Sequence, residues 1–95
     1  MSDISSFVFK ETKIIVTSLR LDCIVSALLN QSRTKAVAYI KDGAVKLNYS
    51  IEDEANKKVE IKDLISIKGF GRYVLEDTIG LTKSDRITLL IKKYL

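Results

Sequence analysis

Residues 19–43 read LRLDCIVSALLNQSRTKAVAYIKDG, and this stretch decides the fold. Leu21, Ile24, Val25, Leu28 and Leu29 stand at i, i+3, i+4, i+7 and i+8, one apolar stripe at helical period. Ser18, just upstream, offers an oxygen to cap that helix, and Asn30-Gln31 interrupt it. Ser32 is a second cap, opening a helix over residues 33–41 in which Ala36, Val37 and Ile40 share a face. Asp42-Gly43 ends it, with glycine where a left-handed closing residue is favoured. The stretch predicts a short helical hairpin.

On either side the period changes. Residues 1–6 read as a polar, unstructured start, and 7–17 carry the β-branched run Lys13-Ile14-Ile15-Val16-Thr17 of a strand. Downstream, residues 44–48 alternate, with Val45 and Leu47 facing one way and Lys46 and Asn48 the other. A charged loop over 52–58 precedes short strands at 59–61 and 64–68, a turn at Gly69-Phe70-Gly71, and strands at 73–78 and 86–92 around a Lys83-Ser84-Asp85 turn. Ile87, Leu89 and Ile91 face inward. Helices set apart from a run of strands predict an α+β domain over 7–95: a two-helix hairpin on a small, mainly antiparallel sheet of about four to five short strands.

Composition narrows the chemistry. The 95 residues are 46% hydrophobic and 29% charged, the balance of a globular chain. No apolar run approaches the ~20 residues of a membrane helix, so membrane insertion is not expected. With no histidine, Ser-His-Asp triads, Cys-His dyads and His-ligated zinc are out of reach. The single cysteine, Cys23, forms no internal disulfide and reads as a partly covered thiol off the helix stripe; it suits a reducing compartment, the cytoplasm. Several strings imitate functional motifs. Gly69-Phe70-Gly71-Arg72-Tyr73-Val74 lacks the last glycine of a dinucleotide loop, and Gly80-Leu81-Thr82-Lys83-Ser84 lacks the glycine before the lysine of a phosphate loop. Glu52-Asp53-Glu54 lacks calcium-loop spacing. These read as turns and a solvated loop; no catalytic residue, cofactor or metal site is expected.

Charge is what remains. The chain carries +4, with a local +3 over residues 33–46 and a local −2 over 52–63. The positive stretch begins at a helix N-terminus, where free N–H groups and the dipole attract anions. Ser32 and Thr34 hydroxyls, the Arg33 fork and Lys35 add donors suited to phosphate oxygens. Arg20 opens the first helix and, in a tight hairpin, shares that edge; Lys46 and Asn48 extend it onto a strand. Asp22 reads as an orienter for Arg20, Arg33 or the second helix's N–H groups, since a carboxylate facing phosphate would repel it. The patch carries an anion-binding role only if its cations gather on one side and are not neutralised by carboxylates.

Leu19-Arg20-Leu21-Asp22, Ser32-Arg33-Thr34-Lys35-Ala36 and Ile40-Lys41-Asp42-Gly43-Ala44-Val45-Lys46-Leu47-Asn48, followed by Lys62-Asp63-Leu64-Ile65-Ser66-Ile67, resemble in order and spacing the RNA-binding domain named after ribosomal small-subunit protein four, the S-four domain. Lys68-Gly69-Phe70-Gly71-Arg72 and Tyr49 are similar to the C-terminal module of bacterial S-four proteins linked to cell division and, in cyanobacteria, to photosystem II biogenesis. Those relatives usually carry a further N-terminal region, which would make this chain an excised module. The resemblance implies an alpha-L motif of the two helices and the adjoining strand, binding structured RNA, commonly ribosomal or transfer RNA. It implies contacts from Arg20, Ser32, Arg33, Thr34, Lys35, Lys41, Lys46, Asn48, Tyr49 and Arg72, and ribosomal or cell-division proteins as further partners. Two residues depart from the family pattern: Lys62 and Tyr49 stand where glycine is usual, Lys62 altering the turn, Tyr49 either stacking on a base or packing on the sheet. Two other functions fit the residues. One is a protein adaptor anchored by Phe70, Tyr73 and Tyr49 on the sheet; the other is the targeting domain of an RNA-modifying enzyme.

Overall fold

Alternating β-branched and polar residues build one sheet, and the two predicted helices pack against it. The computed structural model describes residues 9–81 and 85–94. The order is β1 (Phe9–Val16), α1 (Leu21–Leu29), α2 (Arg33–Lys41), β2 (Val45–Leu47), β3 (Ser50–Ile51), β4 (Leu64–Ile67), β5 (Gly71–Leu81) and β6 (Ile87–Tyr94). The strands pair antiparallel in the order β1-β6-β5-β4-β2-β3. The α+β prediction holds; six strands replace the expected four to five, because the two-residue β3 carries no alternation to read. The predicted start at 1–6, residues 7 and 8 of the first predicted strand, and Lys83 and Ser84 of the predicted turn lie outside the described residues, as do Thr82 to Ser84 of the phosphate-loop imitation.

Ile14, Val16, Ile65, Ile67, Leu75, Leu89 and Ile91 meet Leu21, Ile24, Val25, Ala36 and Ile40 in a single buried cluster. Burying such side chains contributes ~1.5–3 kcal/mol each. Cys23 is buried in this cluster rather than partly covered, with the hydroxyls of Thr17 and Ser18 3.8 and 3.5 Å from its Sγ. The predicted second cap is present, Ser32 accepting from the Lys35 N–H at 3.2 Å, and Gly43 closes α2 at φ +77°. The first cap is elsewhere. Ser18 Oγ accepts from the Arg20 N–H and from no N–H of the first turn, and the N–H groups of Leu21 and Asp22 donate to the carbonyls of Lys57 and Ala55 at 2.8 and 3.0 Å. The 52–58 loop closes the start of α1, which its charge pattern does not reveal.

Residues 59–61 are not a strand. Val59 is buried and donates to Leu19, beside an isolated Arg20–Lys58 bridge, while Ile61 is exposed. The backbone at Lys62 has a left-handed φ of 76°, the region glycine favours; its ammonium reaches Glu76 at 2.8 Å and holds that carboxyl below the usual range. Asn48 and Tyr49, at φ 53° and 74°, form the two-residue turn between β2 and β3, so β2 ends before Asn48. Left-handed backbone costs a residue with a side chain roughly 1–2 kcal/mol, against ~0.4–1 kcal/mol of unfolded-chain entropy that glycine adds. Tyr49→Gly is therefore expected to raise stability by about 0.5–1 kcal/mol, read from the urea midpoint at constant slope.

Candidate nucleic-acid interface

The sequence places a carboxylate, Asp22, in the first turn of α1 and an arginine, Arg33, in the first turn of α2, and the hairpin folds these turns together. Asp22 is 2% exposed. Its Oδ2 accepts from Arg20 Nη2 and Arg33 Nη2, each at 3.1 Å. The guanidinium side chains remain 46% and 55% exposed. The orienting role expected of Asp22 is realised through the two arginines and not through the N–H groups of α2. One carboxylate engages both guanidiniums, but a unit of positive charge is left over. Each arginine also has five N–H donors, of which the clamp takes one. The hydrogen bond to Asp22 raises the Arg33 pKa further above its ordinary value, so the group stays charged throughout the working range.

The first turn of α2 is open beside this clamp. Thr34 and Lys35 are exposed, and the N–H groups of Arg33 and Thr34 have no backbone acceptor among the described residues. Ser32 is engaged as the cap, its oxygen taken by Lys35 N–H. The N-terminus of α1, in contrast, is filled by the loop carbonyls. Arg20, Ser32, Arg33, Thr34 and Lys35 thus form one cluster, with fixed guanidiniums next to a positive helix end.

The other predicted residues separate from it. Lys41 is exposed in the last turn of α2. Lys46, Tyr49 and Arg72 line an open groove with Lys68 and Phe70. Asn48 is a structural staple: its Nδ2 donates to Asp63 at 2.9 Å, and its Oδ1 accepts from the Leu64 N–H at 2.9 Å. Tyr49 does not pack on the sheet; it is 76% exposed. The adaptor anchor is not assembled. Tyr73 is buried, directly opposite Ile65, whereas Phe70 lies in the turn with its ring edge-on to Tyr39, centroids 5.8 Å apart. The sequence reading took Arg72 as a contact but not Lys68, which it placed at the end of the strand over 64–68. The signal was present in the density of cations and glycines there, but its neighbours Lys46 and Tyr49 come from a strand and turn some twenty residues earlier.

Among the described residues, no three His, Cys, Asp or Glu side chains gather as a metal site, and no helix is long and apolar enough to cross a membrane.

Known proteins resemble this chain. The S4 domain family model matches residues 19–65, from the residue before Arg20 into β4. The chain is 39% identical over 71 residues to the ribosome-associated protein quality control protein P2 of Bacillus subtilis (strain 168), a match covering 75% of this chain and 28% of that protein. The fold is similar to that of a pseudouridylate synthase, with a TM-score of 0.53 and 27% identity over 62% of this chain and 24% of the synthase. A further likeness, to the 30S ribosomal protein S4e from Thermoplasma acidophilum, has a TM-score of 0.49 and 19% identity over 84% of this chain and 38% of that one. The chain spans about a quarter of the length of the first two.

Proposed function

The chain belongs to the S4 domain family through residues 19–65, and on that premise we propose that it is a non-catalytic module that binds structured RNA, ribosomal RNA foremost, in the cytoplasm. The observation that carries this reading is the pair of half-exposed guanidiniums fixed at 3.1 Å from one buried carboxylate, beside the open N-terminus of α2. An A-form duplex hides its base edges in a deep, narrow groove and presents phosphates and 2′-hydroxyls, so a rigid cationic surface reads its backbone shape. Arg20 and Arg33 supply forked donors, Thr34 and Lys35 add a hydroxyl and an ammonium, and Lys41 extends the reach along α2. The ribosome association in the Bacillus relative's name makes ribosomal RNA and a neighbouring ribosomal protein the partners to examine first.

Such a surface obeys counterion release. If about four or five phosphates are neutralised, log Kd against log salt for a ribosomal RNA hairpin should have a slope of roughly 3 to 4.5, at ~0.7–0.9 per phosphate. Fluorescence anisotropy between about 50 and 200 mM salt measures it. Salt-independent binding would contradict the reading.

The likeness to a pseudouridylate synthase, of which this fold covers 24%, favours a second reading: the same surface could deliver an attached RNA-modifying enzyme to its substrate. RNA affinity is then unchanged. Base modification of bound RNA by the full-length protein separates the two readings.

A further inference from the structure

Strand register creates a second cationic feature. Lys46 stands directly opposite Ser66, and Ser66 opposite Arg72, so the three side chains leave the same face, away from Val45 and Leu47. At ~4.8 Å per strand, the Lys46 and Arg72 backbones are about 10 Å apart, so their long side chains reach phosphates of one strand. They line an open groove of about 860 Å³, whose rim holds Lys68, Phe70 and Tyr49. None of its lining residues is acidic. Lys46 and Lys68 form no ion pair among the described residues, and the Arg72 guanidinium lies 5.8 Å from the Tyr94 ring centroid. Gly69 and Gly71, at φ +87° and +122°, leave this wall as bare backbone. The groove shares no lining residue with the arginine clamp, from which the nine residues of α2, roughly 13 Å, separate it.

Tyr49 points to the ligand. It keeps a left-handed backbone and 76% exposure, so no packing offsets its strain. An exposed ring lining the same groove as Lys46, Lys68 and Arg72 is what a stacked base and its phosphates require. A duplex cannot offer a free base face, whereas an unpaired strand can. A protein partner would call for a recessed apolar anchor, but Phe70 is already turned edge-on to Tyr39.

We propose that this groove takes an unpaired stretch of RNA, one base stacking on Tyr49 and the flanking phosphates lying between Lys46, Lys68 and Arg72. This deepens the RNA-binding reading and rests on it: the clamp holds a duplex while the groove holds the single strand running from it.

The test is anisotropy with three probes: a uridine decamer, an abasic decamer with the same phosphates, and a blunt RNA hairpin. Stacking on one base changes affinity by about 5- to 100-fold. The uridine decamer should bind at least ~5-fold tighter than the abasic one. Tyr49→Ala should erase that difference, and Lys68→Ala should weaken both decamers, each leaving hairpin affinity within about twofold. Both side chains are exposed, so melting temperatures should not fall. Equal binding of the two decamers, or a Tyr49→Ala protein that still separates them, overturns the groove assignment while hairpin binding leaves the broader reading standing. A deca-glutamate peptide that binds as tightly as the uridine decamer overturns it in favour of an acidic protein partner. Failure of the hairpin as well as both decamers to bind the unmodified protein refutes RNA binding as a whole.

Discussion

Replacing Asp22 with alanine should lower the unfolding free energy by about 2 kcal/mol and weaken duplex RNA binding by roughly 5-fold, although it removes a negative charge from an anion-binding surface. Hydrogen bonds to charged groups contribute ~1.5–3 kcal/mol each, but the arginine partners are half-exposed and regain water when released, which discounts the sum. The carboxylate also faces the positive end of α1, worth ~0.3–1 kcal/mol. Electrostatics alone predicts the opposite sign for RNA: two guanidiniums without their acid carry more charge and should hold phosphate more tightly. Weaker binding means the geometry imposed by Asp22 outweighs the charge it adds. Asp22→Asn separates the effects, because it retains the shape while giving up the ionic acceptor. Urea unfolding with constant slope and hairpin anisotropy read the two quantities. Stability within 0.5 kcal/mol of the parent, an order-of-magnitude threshold for an ordinary surface change, or tighter RNA binding would rule out the orienting role.

Arg33→Ala should weaken hairpin binding by about 10- to 100-fold, the range for losing charge-assisted hydrogen bonds to phosphate. The fold should hold, because Asp22 keeps its bond to Arg20 and the Arg33 side chain is 55% exposed. Arg33→Lys should recover only part of the loss: an ammonium preserves the charge but cannot engage carboxylate and phosphate with one planar fork. The Asp22 hydrogen bond raises the Arg33 pKa, so this contribution should show no pH dependence near neutrality. Anisotropy on the same hairpin decides; unchanged affinity would remove Arg33 from the interface.

Both expectations start from residues legible in the chain. The stripe from Leu21 to Leu29 and the Ser32 cap are local patterns, and helical hydrogen bonds connect residues four apart. Asp22 was identifiable as an orienter because a carboxylate among arginines near a phosphate surface has few other useful roles. The misread features depend on distant chain. Ser18 has the chemistry of a cap, but carbonyls at Ala55 and Lys57 take the first N–H groups of α1. Residues 59–61 alternate like a strand, yet no strand of the sheet pairs with them: the isolated bridge is between Arg20 and Lys58, and Val59 donates to Leu19. Tyr73 resembles an exposed anchor until the β4–β5 register turns it into the core.

The limits of α2, the end of α1, the α+β class and the basic bias at the start of α2 were determined by sequence alone, since each depends on neighbours within a turn or on composition. The tertiary structure decided that Arg20 and Arg33 share one oxygen of Asp22, that Asn48 braces a turn, and that Lys46 aligns with Arg72 across β4. Strand pairing and helix docking join residues that no local period connects, and those long-range contacts are what turn scattered charges into oriented ones.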